Sequence, residues 1–124
     1  MNYQKRVLLE NIPPSVNLIQ YVIIPPGGRI PPHAHHYTSE IFYITRGNVR
    51  AEIEGKVFEL SERDLLFVDV GEKHSFTNLS NESLEMLVLK INFRRDDQIL
   101  YPENEDKAGY CRAARRGCVY EGSS

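Results

Sequence analysis

The sequence predicts an all-β sandwich or barrel, and two observations carry the prediction. Between Asn17 and Phe93, short runs rich in β-branched and aromatic residues recur roughly every 8–12 residues, each ended by a turn signal. Nowhere in that span do apolar residues repeat with the period of a helix. About seven to nine strands are expected.

Taken in order, the first strand is "VNLIQYVII", which stops at Pro25-Pro26-Gly27-Gly28, where proline cannot donate to a ladder and glycine permits a tight reversal. "EIFYIT" is the next clear strand and turns at Arg46-Gly47-Asn48. "NVRAEIEG" alternates, with Val49, Ala51 and Ile53 on one face and Arg50, Glu52 and Glu54 on the other, as a strand with one buried face does. Gly55 turns the chain into "KVFEL". "LLFVDV" is nearly all apolar and is expected to be covered on both faces, while "HSFTNL" and "LEMLVLKINF" flank the polar turn "SNES". Residues 1–95 are therefore assigned to the barrel. Residues 96–124, rich in charge, Pro and Gly, are expected to be a tail that either packs on the barrel or a second subunit or is disordered, with a helical turn or two at "YCRAARRGC".

The 124-residue length fits one domain with one core. With 15 basic against 17 acidic residues, there is no cationic field to attract nucleic acid. No stretch approaches the ~20 apolar residues of a membrane span, and the N-terminal "MNYQKRVLLENIPPSV" lacks the apolar core of a signal peptide, so a cytoplasmic location is expected. Cys111 and Cys118 then read as two thiols, with a redox-sensitive pair as the alternative, and Arg112, Arg115 and Arg116 as a solvated basic face.

Three of the four histidines lie in "PPHAHHYTSE": His33, His35 and His36, followed by Glu40, while His74 opens a later strand. On an extended chain His33 and His35 project to the same side. Imidazole nitrogen and carboxylate oxygen together suit a divalent Fe, Mn, Ni, Cu or Zn ion. Four such ligands from separate strands can enclose one ion per chain and leave one or two positions open. A site that holds metal only for stability is the competing reading.

The spacing Gly27, His33, His35, Glu40, Gly47 resembles the first motif of the cupin superfamily in every position. "RDLLFVDVGEKHSFTN" is similar to the second motif through Gly71, His74 and Asn78, but has Arg63 where Gly is usual and Asp69 where Pro is usual. The resemblance covers about residues 15–93. It implies a double-sheet jelly-roll barrel with His33, His35, Glu40 and His74 as metal ligands inside its mouth, a small-molecule ligand or substrate, and a homodimer. Asn78 is expected near that mouth. Phe42, Ile44 and Phe76 share parity with Glu40 and His74 and are expected to face the cavity, as is whichever of Gln20, Tyr21 and Lys90 points inward. His36, Tyr37 and Lys90 are the candidate acids or bases. The resemblance leaves several chemistries open. A dioxygenase-type oxidoreductase is favoured, the alternatives being a metal-dependent sugar or keto-acid isomerase or lyase, a non-catalytic ligand-binding barrel, and metal-independent epimerisation.

Overall fold

Nine strands make up the described residues, 4–7 and 15–101, of this computed structural model. Val16–Ile24 (β1) pairs antiparallel with Leu84–Ile91 (β8), β8 with Ser39–Arg46 (β3), and β3 with Leu65–Val68 (β6), giving a four-stranded sheet of order β1-β8-β3-β6. The second sheet is built from Lys56–Leu60 (β5), Val49–Ile53 (β4), His74–Thr77 (β7), Arg29–Ala34 (β2) and Ile99–Leu100 (β9), in that spatial order. Neighbours in space are thus often distant in sequence, which is the jelly-roll arrangement. No helix among the described residues is long and apolar enough to cross a membrane.

Strand alternation decides what fills the space between the sheets. Along β8, Leu84, Met86, Val88 and Lys90 are buried, while Glu85, Leu87 and Leu89 on the opposite face are half-buried. Phe42, Ile44, Val49, Ala51, Leu66, Val68 and Phe76 complete the core with them. Each large apolar side chain so buried contributes about 1.5–3 kcal/mol relative to exposure. β6 departs from the expectation of two covered faces: Leu66 and Val68 are buried but Phe67 is 39% exposed, because among the described residues β6 is an edge strand and no layer packs over its outer face.

One backbone feature sets the geometry of the site. Pro31 and Pro32 interrupt the β2–β7 ladder, and the register shifts between Ile30 and His33. Ile30 and His33 are an odd number of residues apart and would face opposite sides of a regular strand; the bulge resets the alternation so that both border the same cavity. Gly47 adopts φ +90°, and a Cβ there would lie 2.8 Å from the Ser83 carbonyl oxygen, so the β3–β4 turn requires glycine. Arg63, where the resembled motif has glycine, holds φ 74°, a left-handed conformation that costs a side-chain-bearing residue about 1 kcal/mol.

β9 adds a fifth strand beside β2, with His33 opposite Leu100, and Asp97 is buried. Cys111, Cys118 and the arginines at 112, 115 and 116 lie outside the described residues.

Candidate metal centre

The bulge places His33 directly opposite His74 in the β2–β7 ladder, with ring centroids 4.2 Å apart. His35 follows β2 by one residue, and Glu40 projects inward from β3 on the facing sheet. One ligand atom from each of His33, His35, Glu40 and His74 lies within 4.8 Å of the others, and all four residues are buried. The three imidazoles thus come from one side of the barrel and the carboxylate from the other.

Hydrogen bonding fixes which ring nitrogen faces the centre. Nδ1 of His33 contacts the Pro31 carbonyl at 2.8 Å, Nδ1 of His35 the Asp97 carbonyl at 2.6 Å, and Nδ1 of His74 the Glu72 carbonyl at 2.8 Å. A carbonyl oxygen only accepts, so each Nδ1 carries the proton, and in a neutral ring Nε2 is a bare lone pair. Nε2 of His35 and of His74 lies 3.3 Å and 3.0 Å from Glu40 Oε1, yet all three atoms are buried without a hydrogen-bond partner. Lone pairs and a carboxylate aimed at one point repel one another unless a cation sits among them. The donor set therefore fits a divalent transition metal, with His33, His35, His74 and Glu40 to hold it.

The charges of the metal-free cluster agree with that arrangement. Burial, reinforced by the nearby His74, pushes the His33 imidazole down to about 3, so that ring stays neutral. Burial also opposes charge on His35, but the Glu40 carboxylate 3.3 Å away outweighs it and raises His35 above its ordinary value. Glu40 itself is held well below the carboxylate range, because its contacts with His35 and His74 outweigh the burial that favours its neutral form.

Asp97, which no sequence pattern singled out, secures the His35 loop. Its carboxylate accepts hydrogen bonds from the backbone N–H groups of His36, Tyr37 and Thr38 at 2.6, 3.0 and 3.0 Å and from the Thr38 hydroxyl at 2.8 Å. Its carbonyl orients the His35 ring as described. These hydrogen bonds, together with the charge of His35, outweigh burial and lower the Asp97 carboxyl below its usual value.

The remaining expected residues divide by position. Gln20, Val22, Ile30, Phe42, Phe76 and Val88 join His33 and Glu40 around a cavity of about 10 Å³, room for an ion or one water. Ile44 does not border it: fully buried, it lies one inward position further along β3 and belongs to the core alone. Asn78 does not line this cavity. Its amide donates to the carbonyls of Ile24, Pro25 and Glu82 and ties the β1–β2 turn to the start of β8. His36 and Tyr37 are exposed and border no part of this cavity, because alternation turns His36 outward and the Arg94 guanidinium stacks on the Tyr37 ring at 4.1 Å. Tyr21 also points outward, to Thr45 and Glu85. Lys90 is buried with its Nζ 3.5 Å from Glu40 Oε2.

Comparison with known proteins gives consistent findings. The family described as "Cupin domain" matches residues 20–90, more than half of the chain. An oxalate-binding protein of Thermotoga maritima is 37% identical over 68 residues, which are 55% of this chain and 56% of that protein. The polyketide synthase CurC of Streptomyces cyaneus is 31% identical over 65 residues, 52% of this chain and 42% of that protein. The chain thus spans about half the length of these curated relatives. Among solved structures, a predicted oxalate decarboxylase from Thermotoga maritima superposes with a TM-score of 0.60 at 33% identity, covering 64% of this chain and 69% of that one.

Proposed function

The chain belongs to the cupin domain family, and from that premise we propose that it is a metal-dependent enzyme acting on a small polar organic molecule at the His33, His35, Glu40, His74 centre. One observation carries the reading: three imidazoles with their Nδ1–H groups committed to backbone carbonyls present their other nitrogens, with a carboxylate, to one buried point. A bound divalent ion supplies Lewis-acid polarisation of a substrate oxygen or, if redox-active, oxygenase-type electron transfer.

The chain's own residues do the rest. The backbone anchors hold the rings at fixed angles, so no reorganisation is needed when the ion enters. Phe42 and Phe76, with ring centroids 4.6 Å apart, form an apolar floor that keeps water away from the inner side of the centre. The small cavity beside them admits an ion or a water, so a substrate approaches from the rim and the Gln20 amide is a polar contact on the way.

The mixed nitrogen and oxygen donor set favours an oxidoreductase of dioxygenase type. The likeness to a predicted oxalate decarboxylase supports a second reading, a lyase that cleaves a carbon–carbon bond. Metal-loaded protein offered a panel of small carboxylic acids, diketones, thiols and uronates separates the two: the first reading requires oxygen consumption with product formation, the second carbon dioxide release without it. A protein that binds one of these compounds and leaves all of them unchanged is a ligand-binding barrel, and the enzyme reading then fails.

A second copy of the chain is the partner this reading includes. Ile19, Tyr21 and Ile23 on the outer face of β1 are 62%, 55% and 59% exposed and continue across Leu87 and Leu89 of β8 toward Phe67, an apolar face that supports a homodimer through this sheet.

A further inference from the structure

The two carboxylate oxygens of Glu40 have different surroundings. Oε1 lies 3.3 Å from Nε2 of His35 and 3.0 Å from Nε2 of His74, on the side where the imidazole lone pairs converge. Oε2 lies 3.5 Å from Nζ of Lys90. The β3–β8 register sets Glu40 directly opposite Lys90, so the two are cross-strand neighbours, and both are buried. On its far side the ammonium meets the face of Phe93, 5.5 Å from the ring centroid.

Lys90 is 4% exposed and is the one buried lysine or arginine among the described residues. The other inward positions of its strand are Leu84, Met86 and Val88, and a further apolar residue would complete that face without the desolvation penalty that an ammonium carries. Core packing alone therefore does not account for a lysine here. A carboxylate gives a metal ion either one oxygen or both. To give both, Glu40 would have to turn Oε2 away from Lys90 and leave the ammonium buried without its anionic partner, an unfavourable arrangement in a protein interior. When only Oε1 meets the ion, each buried charge keeps a partner.

The choice sets how much of the ion stays open. Three imidazole nitrogens and one carboxylate oxygen leave a six-coordinate ion two further positions, whereas a chelating Glu40 leaves one. An ion with two open positions holds a substrate and a second reactant side by side; with one it holds either alone.

We propose that Lys90 is a positioning residue that holds Oε2 of Glu40 off the ion, makes this carboxylate a one-oxygen ligand and so keeps a second coordination position open. The inference rests on the metal site proposed above and goes beyond it by naming the residue that sets how many positions that site leaves free.

The test counts water on the ion. The full chain loaded with manganese(II) is compared with Lys90→Met and Lys90→Leu, two apolar variants of different shape, by the broadening that water enriched in the magnetic oxygen isotope causes in the manganese electron paramagnetic resonance signal. Manganese content, manganese affinity and circular dichroism are measured for each protein. The wild type should carry two waters and a folded variant one, and the variant's manganese affinity should rise roughly tenfold, since a buried positive charge beside the ion is removed and a donor oxygen is gained. A lysine that only supports the fold gives the reverse, lower affinity at an unchanged water count, and that result overturns the inference. One water on the wild-type ion overturns it whether or not the variants fold. A wild type that takes up no manganese overturns the metal site on which the inference rests, and the manganese content distinguishes that failure from the other two.

Discussion

Replacing Asp97 with Ala should damage the metal centre from a distance. The Asp97 carboxylate accepts four hydrogen bonds, from three consecutive backbone N–H groups and from the Thr38 hydroxyl. His36 and Tyr37 are exposed, so water replaces their lost bonds at about 1 kcal/mol or less each. Thr38 is 1% exposed, so its N–H is left buried without an acceptor at about 1–2 kcal/mol, while its hydroxyl keeps the Asn92 carbonyl at 3.3 Å and loses about 1 kcal/mol or less. The sum is about 2–4 kcal/mol of folding stability, measured by urea denaturation. Because the same segment carries the carbonyl that orients His35, metal affinity should fall about 10- to 100-fold as well. Asp97→Asn keeps one side-chain acceptor oxygen and should fall between the two proteins on both scales. An alanine variant within about 1 kcal/mol of the wild type and with full metal affinity would refute the claim that this residue builds the site.

Other expectations follow from the same structure. Asn78→Ala removes three donated hydrogen bonds at a fully buried position and should lower stability by about 2–4 kcal/mol while leaving metal stoichiometry unchanged; loss of metal would show that the residue acts at the centre after all. Metal affinity should depend on pH through His35, whose raised value means that below it a proton occupies the ligand nitrogen and above it none does. The apparent affinity should then rise with pH through that value, whereas His33 and Glu40 bind protons only in more acid solution. Competition with a chelator measures this, and an affinity that does not change with pH contradicts the assignment. Ile19→Lys with Ile23→Lys should convert a dimer to a folded monomer by light scattering, whereas a wild type that is monomeric at micromolar concentration removes the proposed partner.

Much of the barrel and the four metal-binding candidates were legible because both rest on local pattern. Alternation in "NVRAEIEG" and the β-branched run of β1 need no partner to be read, and His33, His35 and Glu40 fall within one short segment. What depended on pairing was not legible. The inward turn of Gln20 and Lys90 and the outward turn of Tyr21 follow from the β1–β8 register, which sequence does not contain. The bulge at Pro31–Pro32 shifts parity by one and determines that His33 meets His74. Asp97 sits in "RRDDQIL", where its charge reads as solvated; only the fold brings it against the His36–Thr38 backbone about 60 residues away, as the contact with Tyr37 shows. β6 reads as a buried strand because its composition is apolar, and only its edge position explains why Phe67 is exposed.

Metal content by elemental mass spectrometry, on untagged protein purified without chelator and compared with the His33→Ala/His74→Ala double variant, tests the central claim most directly. The account predicts about one Fe, Mn, Ni, Cu or Zn ion per wild-type chain and none in a folded double variant. A wild type without bound metal that also refuses all of these ions on reconstitution, or a double variant that retains its metal, contradicts it.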